Sequence, residues 1–272
     1  MWRAGARAVL ALARNPDEVD GGAAMAFDAG GTLPETGGDW PDAAIATLPI
    51  WLLAEHAGEL AARGTRRLVC FSTTSVFGKA DTRNTHELAV VEKVSAAEAR
   101  IRAICEDKGI GLTILRPTLI YGAGADKTIA AAARFIERFG FYPVHGAAAG
   151  RRQPVHADDL AAAALAALDC DTAAGRSYAL GGGETLAYRD MIGRIFDVLD
   201  RPRRIVRTPL LPVMLDVAGA VLPGSELTGD VARRMNMDLD FDDGSAARDF
   251  CYAPRGFLSG GRADLFGDRD QS

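Results

Sequence analysis

The stretch "ELAVVEKVSAAEAR", residues 87–100, reads as a helix carrying one lysine, Lys93. An ammonium one helical turn from a phenol would lower that phenol's pKa and let it exchange a proton with a substrate hydroxyl. Four residues before Lys93, however, stands Ala89, which has no proton to give. At about 100° per residue Val90, Val94, Ala97, Ile101 and Ile104 share one apolar stripe, and Lys93 lies at its edge. Lys93 is therefore read as a flank residue whose stem covers apolar surface while its amine reaches water. Upstream, "RLVCFSTTSVFG" ends an apolar run in the hydroxyls of Ser72, Thr73, Thr74 and Ser75. The cysteines Cys70, Cys105, Cys170 and Cys251 are scattered with no C-x-x-C, so neither a zinc site nor a disulfide framework is expected.

These residues need elements to hold them. "AVLALA" (8–13), "AAIATL" (43–48), "RLVCFS" (67–72) and "LTILRP" (112–117) read as strands, apolar in the continuous manner of buried parallel strands. The segment 49–64 and the helix that holds Lys93 lie between them and end at Gly64 and Gly109. Strand–helix–strand alternation implies a parallel α/β sheet, and ligands of such sheets bind beyond the carboxyl ends of the strands. Those ends are "ARNP", "TLPIW", "STTSVFG" and "RPTLIYG". Further on, 158–170 reads as a helix capped by Asp158 or Asp159, and a second helix is expected to be capped near Thr185. From residue 201 proline and arginine rise, which suggests a smaller, less regular lobe, and the last residues read as a loose tail.

The 272 residues and 48% hydrophobic content allow a sizeable core in one large domain or in a domain with a lobe. A net charge of −5 with no basic run argues against nucleic acid as a partner. The apolar run near the N-terminus is too short for a signal segment, and "PLLPVMLDVAGAVLPG" is broken by three prolines and an aspartate, so no membrane span is expected. A cytoplasmic location follows as the default.

Five stretches in order, "RLVCFSTTSVFG", "LTILRPTLIYGAG", "RRQPVHADDLAAAALAAL", "YALGGGETLAYRDMI" and "DDGSAARDFCYAPRGFL", resemble the extended short-chain dehydrogenase/reductase family, in its NAD-dependent epimerase/dehydratase group. "VLALARNPDE", "AFDAGG" and "PDAAIATLPI" resemble its second to fourth strands more weakly. The resemblance implies a Rossmann-like parallel sheet with helices on both faces in residues 1–180, and a smaller substrate-binding lobe with a tail in 181–272. It also implies an NAD or NADP cofactor and a small nucleotide-linked substrate, and it is compatible with a homodimer.

Carried over position by position, the family's cofactor contacts fall on Arg14 (for the 2′-phosphate of NADP), Asp28 (adenine), Thr47, Leu48 and Pro49 (ribose side), Ser72, and Pro117, Thr118 and Leu119 (nicotinamide side). Residue by residue, Arg14 could equally be a solvated loop arginine, and Asp28 an Asx-turn residue before two glycines. Arg152 resembles the arginine that grips a substrate phosphate in bidentate fashion, and the Arg151–Arg152 pair could also be a solvated loop. His156 reads as a packed structural histidine. Thr73 falls on the catalytic Ser/Thr position.

Two parts of the pattern are missing. None of the glycines from Gly5 to Gly38 has the spacing of a phosphate-cradling turn. The expectation is that the chain starts downstream of that turn, which leaves cofactor binding by these residues in doubt. The family also places a glutamate four residues after its lysine. With Glu98 as that glutamate, Val94 takes the lysine position and Val90 the tyrosine position.

Two functions stay open. One is an atypical, weakly active epimerase/dehydratase-like oxidoreductase with a recruited proton donor (Thr73, His86, Tyr121 or Tyr188). The other is a non-catalytic NAD(P)- or nucleotide-binding sensor or assembly protein. A polar cluster around Thr73 would favour the first, and a cleft lined by Val90 and Val94 the second.

Overall fold

The computed structural model describes residues 10–13, 23–27, 30–35, 40–78, 85–122, 124, 126, 128–221, 228–242 and 244–266. Two short parallel strands, β1 (Leu10–Ala13) and β2 (Ala23–Ala26), pair with one another. Strand β3 (Ala43–Ala46), helix α1 (Ile50–Ala62), strand β4 (Arg67–Phe71), the short helix α2 (Ser75–Gly78), helix α3 (Thr85–Lys108) and strand β5 (Gly111–Pro117) follow. The four-stranded parallel sheet runs β10–β5–β4–β3, where β10 is Ser177–Leu180. Among the described residues β3 therefore has a single sheet partner, β4.

The sheet is buried on both faces because its strands alternate. Leu68 and Cys70 of β4 and Leu112 and Ile114 of β5 point toward α1 and α3, where Leu53, Ala57, Ile101 and Cys105 close the core. Val69 of β4, Leu115 of β5 and Tyr178 and Leu180 of β10 point the other way. They meet helix α5 (Ala157–Leu168) and helix α9 (Ser245–Phe250), which cover the second face. Period-two alternation with both faces covered is what makes these strands read as continuous apolar runs. Gly109, with φ +66°, ends α3 and turns the chain into β5.

After β5 the chain leaves the sheet through β6 (Ile120–Tyr121), α4 (Ile129–Phe139), β7 (Tyr142–Val144), β8 (Arg151–Arg152) and β9 (Val155–His156). Past β10 come β11 (Leu186–Ala187), α6 (Tyr188–Val198), β12 (Ile205–Arg207), α7 (Leu211–Val221) and α8 (Gly229–Arg234). The last helix, α10 (Arg262–Phe266), lies beyond α9. Strand pairs β6–β9, β8–β11 and β7–β12 stitch these segments together. A separate apolar core joins Ile129, Ile136 and Val144 with Met191, Ile195, Phe196, Leu211, Met235 and Phe257. Residues on both sides of position 180 share it. Among the described residues no helix is long and apolar enough to cross a membrane.

Two caps differ from expectation. Helix α5 starts one residue early, and its N-cap is His156, whose Nδ1 accepts the Asp158 N–H at 3.1 Å. The aspartates stay in the first turn, where a negative charge suits the helix dipole. Helix α6 starts at Tyr188, not near Thr185, because Leu186 and Ala187 are drawn into the antiparallel pair with β8.

Candidate functional site at the strand ends

The strand periodicity that buries Cys70 and Ile114 toward α3 also aims the residues two further on, Ser72 and Arg116, at the same helix. Both reach Glu98. The Ser72 Oγ donates to Glu98 Oε1 at 2.5 Å, Arg116 Nε donates to the same oxygen at 2.9 Å, and Arg116 Nη2 donates to Glu98 Oε2. Burial opposes ionisation of Glu98, but hydrogen bonds from Arg116 and Ser72 and the nearby charges of Arg116 and Arg102 outweigh it. The carboxyl titrates below the ordinary glutamate value. The Ser72 hydroxyl is thus committed to α3. The "LRP" at the end of β5 carried the signal for Arg116, since its parity matches Ile114.

Thr73 is half-buried, and its Oγ1 accepts the Ser75 N–H at 3.1 Å, opening α2. Thr74 is buried and bonds the Pro117 carbonyl through both its N–H and its hydroxyl. Thr118 donates its N–H to Leu180 O at 3.0 Å and its hydroxyl to Gln153 O. Leu119 accepts from Val155 N at 2.9 Å. Thr47 is exposed, Leu48 packs partly against the α1–α3 core, and Pro49 caps α1 with its carbonyl. Residues 47–49, 72–74 and 117–119 thus sit at the carboxyl ends of β3, β4 and β5, side by side in one sheet. Arg14 and Asp28 lie outside the described residues.

Along α3 the stripe is buried at Val94, Ala97, Ile101 and Cys105, and Glu98 lies beside it. Val90 is not part of that buried stripe: it is 41% exposed, against 3% for Val94. Lys93 lies over Trp51, at the start of α1. Lys93 itself is exposed.

The other proton-donor candidates are tied down. Tyr121 is buried, its phenol oxygen accepts the Leu258 N–H at 3.1 Å, and burial pushes its pKa up to about 12. Tyr188 shares a hydrogen bond of 3.2 Å with Tyr142, and burial raises both phenols. Tyr178 donates to Asp249 at 2.6 Å and is pushed up to about 12, first by burial and then by that carboxylate. Tyr252 donates to the Gly181 carbonyl at 2.8 Å and is likewise raised by burial. The chain has five tyrosines, and in every one the neutral phenol is the favoured form. His86 falls on α3, and its side chain lies outside those described.

Arg152 is buried, with Nη1 donating to the carbonyls of Arg151 and Met237 at 2.7 Å each and Nη2 donating to Arg234 O at 2.5 Å. Its guanidinium also stacks 5.4 Å from the Tyr188 ring centroid. The solvent-facing member of the pair is Arg151, which pairs with Asp238 and Asp240. His156 packs edge-on to Tyr121, and its Nε2 lies 3.5 Å from Asp264 Oδ1. Two of the glycines in "GGG" are needed for close approach: a Cβ on Gly182 would fall 1.8 Å from the Pro154 carbonyl oxygen, and one on Gly183 2.5 Å from Pro254 O.

These positions fit a dinucleotide in part. Exposed Thr47 and Pro49 and the 117–119 segment can face the ribose and nicotinamide ends, but no glycine-rich backbone cradle for a pyrophosphate occurs in the sequence.

The class of protein is set by the fold, a Rossmann-type parallel α/β sheet with helices on both faces and its polar strand ends gathered on one side. Solved structures share it. A protein named MoeE5, in complex with UDP-glucuronic acid and NAD, superposes with a TM-score of 0.65 at 18% identity, over 96% of this chain and 90% of its own. The UDP-glucose 4-epimerase of Thermotoga maritima gives 0.57 at 14% identity, over 80% of this chain and 66% of its own. Residues 51–181 match the model of the NAD dependent epimerase/dehydratase family.

Among curated proteins, the chain is 31% identical over 118 residues to NADH dehydrogenase (ubiquinone) 1 alpha subcomplex subunit 9, mitochondrial, of Arabidopsis thaliana. That match covers 43% of this chain and 28% of the plant protein. It is 23% identical over 116 residues to the UDP-glucose 4-epimerase of Vibrio cholerae, covering 43% of this chain and 35% of that enzyme. The chain spans between 28% and 51% of the length of the curated relatives it matches.

Proposed function

We propose that this chain is a non-catalytic protein on the epimerase/dehydratase fold, one that holds an NAD(P)- or nucleotide-linked small molecule at its strand ends without transferring hydride. One observation carries the reading: all five phenol oxygens are hydrogen-bonded within the fold, none stands four residues before a lysine, and burial raises each. A proton-exchanging phenol needs the opposite shift. Val90 and Val94 at the resembling positions, and a Thr73 hydroxyl already accepting from Ser75, point the same way. The likeness to a plant protein named as a subunit of NADH dehydrogenase supports an assembly role.

The family match across residues 51–181 favours a second reading, an active epimerase/dehydratase-like oxidoreductase on a nucleotide sugar, with Thr73 or His86 supplying the proton. The two separate in one assay. The chain is incubated with NAD or NADP and UDP-glucose, and conversion of the nucleotide sugar to a new product is followed by chromatography beside calorimetry of each ligand. The expected result is no turnover above the blank, with weak nucleotide binding. Turnover that disappears in Thr73→Val would overturn the non-catalytic reading.

A further inference from the structure

Helix α7 is apolar on the side that faces away from the protein. Leu211, Pro212 and Leu215 turn inward, while Leu210 just before the helix and Val213, Met214 and Val217 within it are 68%, 57%, 58% and 58% exposed. At about 100° per residue these four side chains fill one outward arc roughly 100° wide. No charge interrupts that arc. Asp216 lies at its edge and is engaged: its Oδ1 accepts the Gly229 N–H at 2.6 Å, and its Oδ2 lies 3.8 Å from Arg233 Nη2. Asp230 is paired with the same arginine.

The segment leading into the arc is basic. Arg201, Arg204 and Arg207 are exposed and have no ion pair with any described residue, while Arg203 is matched by Asp197. β12 itself adds exposed Val206, and only three residues separate Arg207 from α7. In a chain of net charge −5, three arginines without an ion pair among the described residues, directly before an exposed apolar arc, are a local reversal of sign.

We propose that this face docks on an anionic lipid surface. Leu210, Val213, Met214 and Val217 enter the acyl boundary, and Arg204 and Arg207 meet the headgroup phosphates. Apolar burial together with attraction of basic side chains is the combination that holds a helix flat at a bilayer surface. The docking is peripheral, and it is independent of the site at the strand ends.

The test is vesicle flotation of the full chain with two liposome preparations, neutral phosphatidylcholine alone and phosphatidylcholine with a third of its lipid replaced by phosphatidylglycerol. The chain should float with the anionic vesicles and not with the neutral ones. Arg207→Glu should weaken that binding by about fivefold or more. Met214→Glu/Val217→Glu should abolish it while leaving the thermal melt in place, because both positions are exposed. Failure to float with either preparation overturns the proposal, as does flotation that survives Met214→Glu/Val217→Glu. So does light scattering that shows a dimer lost in that variant without any vesicle binding, since the arc would then be covered by a second copy.

Discussion

The Lys93 ammonium lies 4.6 Å from the ring centroid of Trp51, joining α3 to the first turn of α1. It is a surface contact between two helices. An exposed cation–π pair of this kind contributes about 0.5–1 kcal/mol. Lys93→Ala should therefore shift urea unfolding by no more than that and leave ligand binding at the strand ends unchanged. A loss of any measured activity in this variant would move Lys93 into the site.

Ultraviolet titration of the phenolate band tests the tyrosines directly. In the native protein no phenol should ionise below the ordinary tyrosine value of about 10. Tyr121 and Tyr178 should wait until about pH 12 or until the chain unfolds. Because these phenols are raised in the fold, their contribution is complete below the unfolded value and is lost as pH climbs through the folded one. A phenol titrating near neutrality would restore the enzymatic reading.

Glu98 gives the opposite pH dependence. Its folded pKa is depressed, so the stability it confers is present above the unfolded glutamate value of about 4.3 and disappears as pH falls through the folded value. Glu98→Gln leaves Arg116 without its counter-charge and should cost about 3 kcal/mol near neutral pH. It should also flatten the acid limb of the unfolding curve. Denaturant melts of both proteins from neutral pH to about pH 3 would read both effects. An unchanged acid limb would mean that the Ser72–Glu98–Arg116 cluster is not linked to folding.

Val90 and Val94 should answer substitution differently. Val94→Lys would bury an ammonium with no partner among the core side chains and should cost at least about 3 kcal/mol. Val90→Tyr, at an exposed position of α3, should stay within about 0.5 kcal/mol of the parent. Equal losses for the two would show that α3 is packed along its whole length.

What could be read in advance follows the range of the interactions. Strands β4 and β5 were visible as apolar runs bounded by Gly64 and Gly109, and the edge position of Lys93 followed from helical geometry alone. The exposure of Val90 is not legible in the helical period, because it depends on what packs around α3 and not on the sequence of α3 alone. Arg152 was placed toward a substrate phosphate by resemblance. Its carbonyl partners Met237 and Arg234 lie 85 and 82 residues away, beyond any local signal. The N-cap of α5 was missed for a smaller reason: His156 offers its ring nitrogen where an aspartate oxygen was expected.

The single partner of β3 also bears on how the protein behaves in bulk. Ala43–Ala46 presents one row of backbone donors and acceptors with no strand opposite among the described residues, and Ile45 stands 36% exposed beside it. Such an edge is a template for another extended chain. During refolding it competes with native collapse in proportion to protein concentration, since pairing between molecules is second order and closure of the core is first order. Yield should accordingly drop, and turbidity rise, as the refolding mixture is made more concentrated. An intruding proline or lysine at Ile45 should relieve both without touching the strand ends.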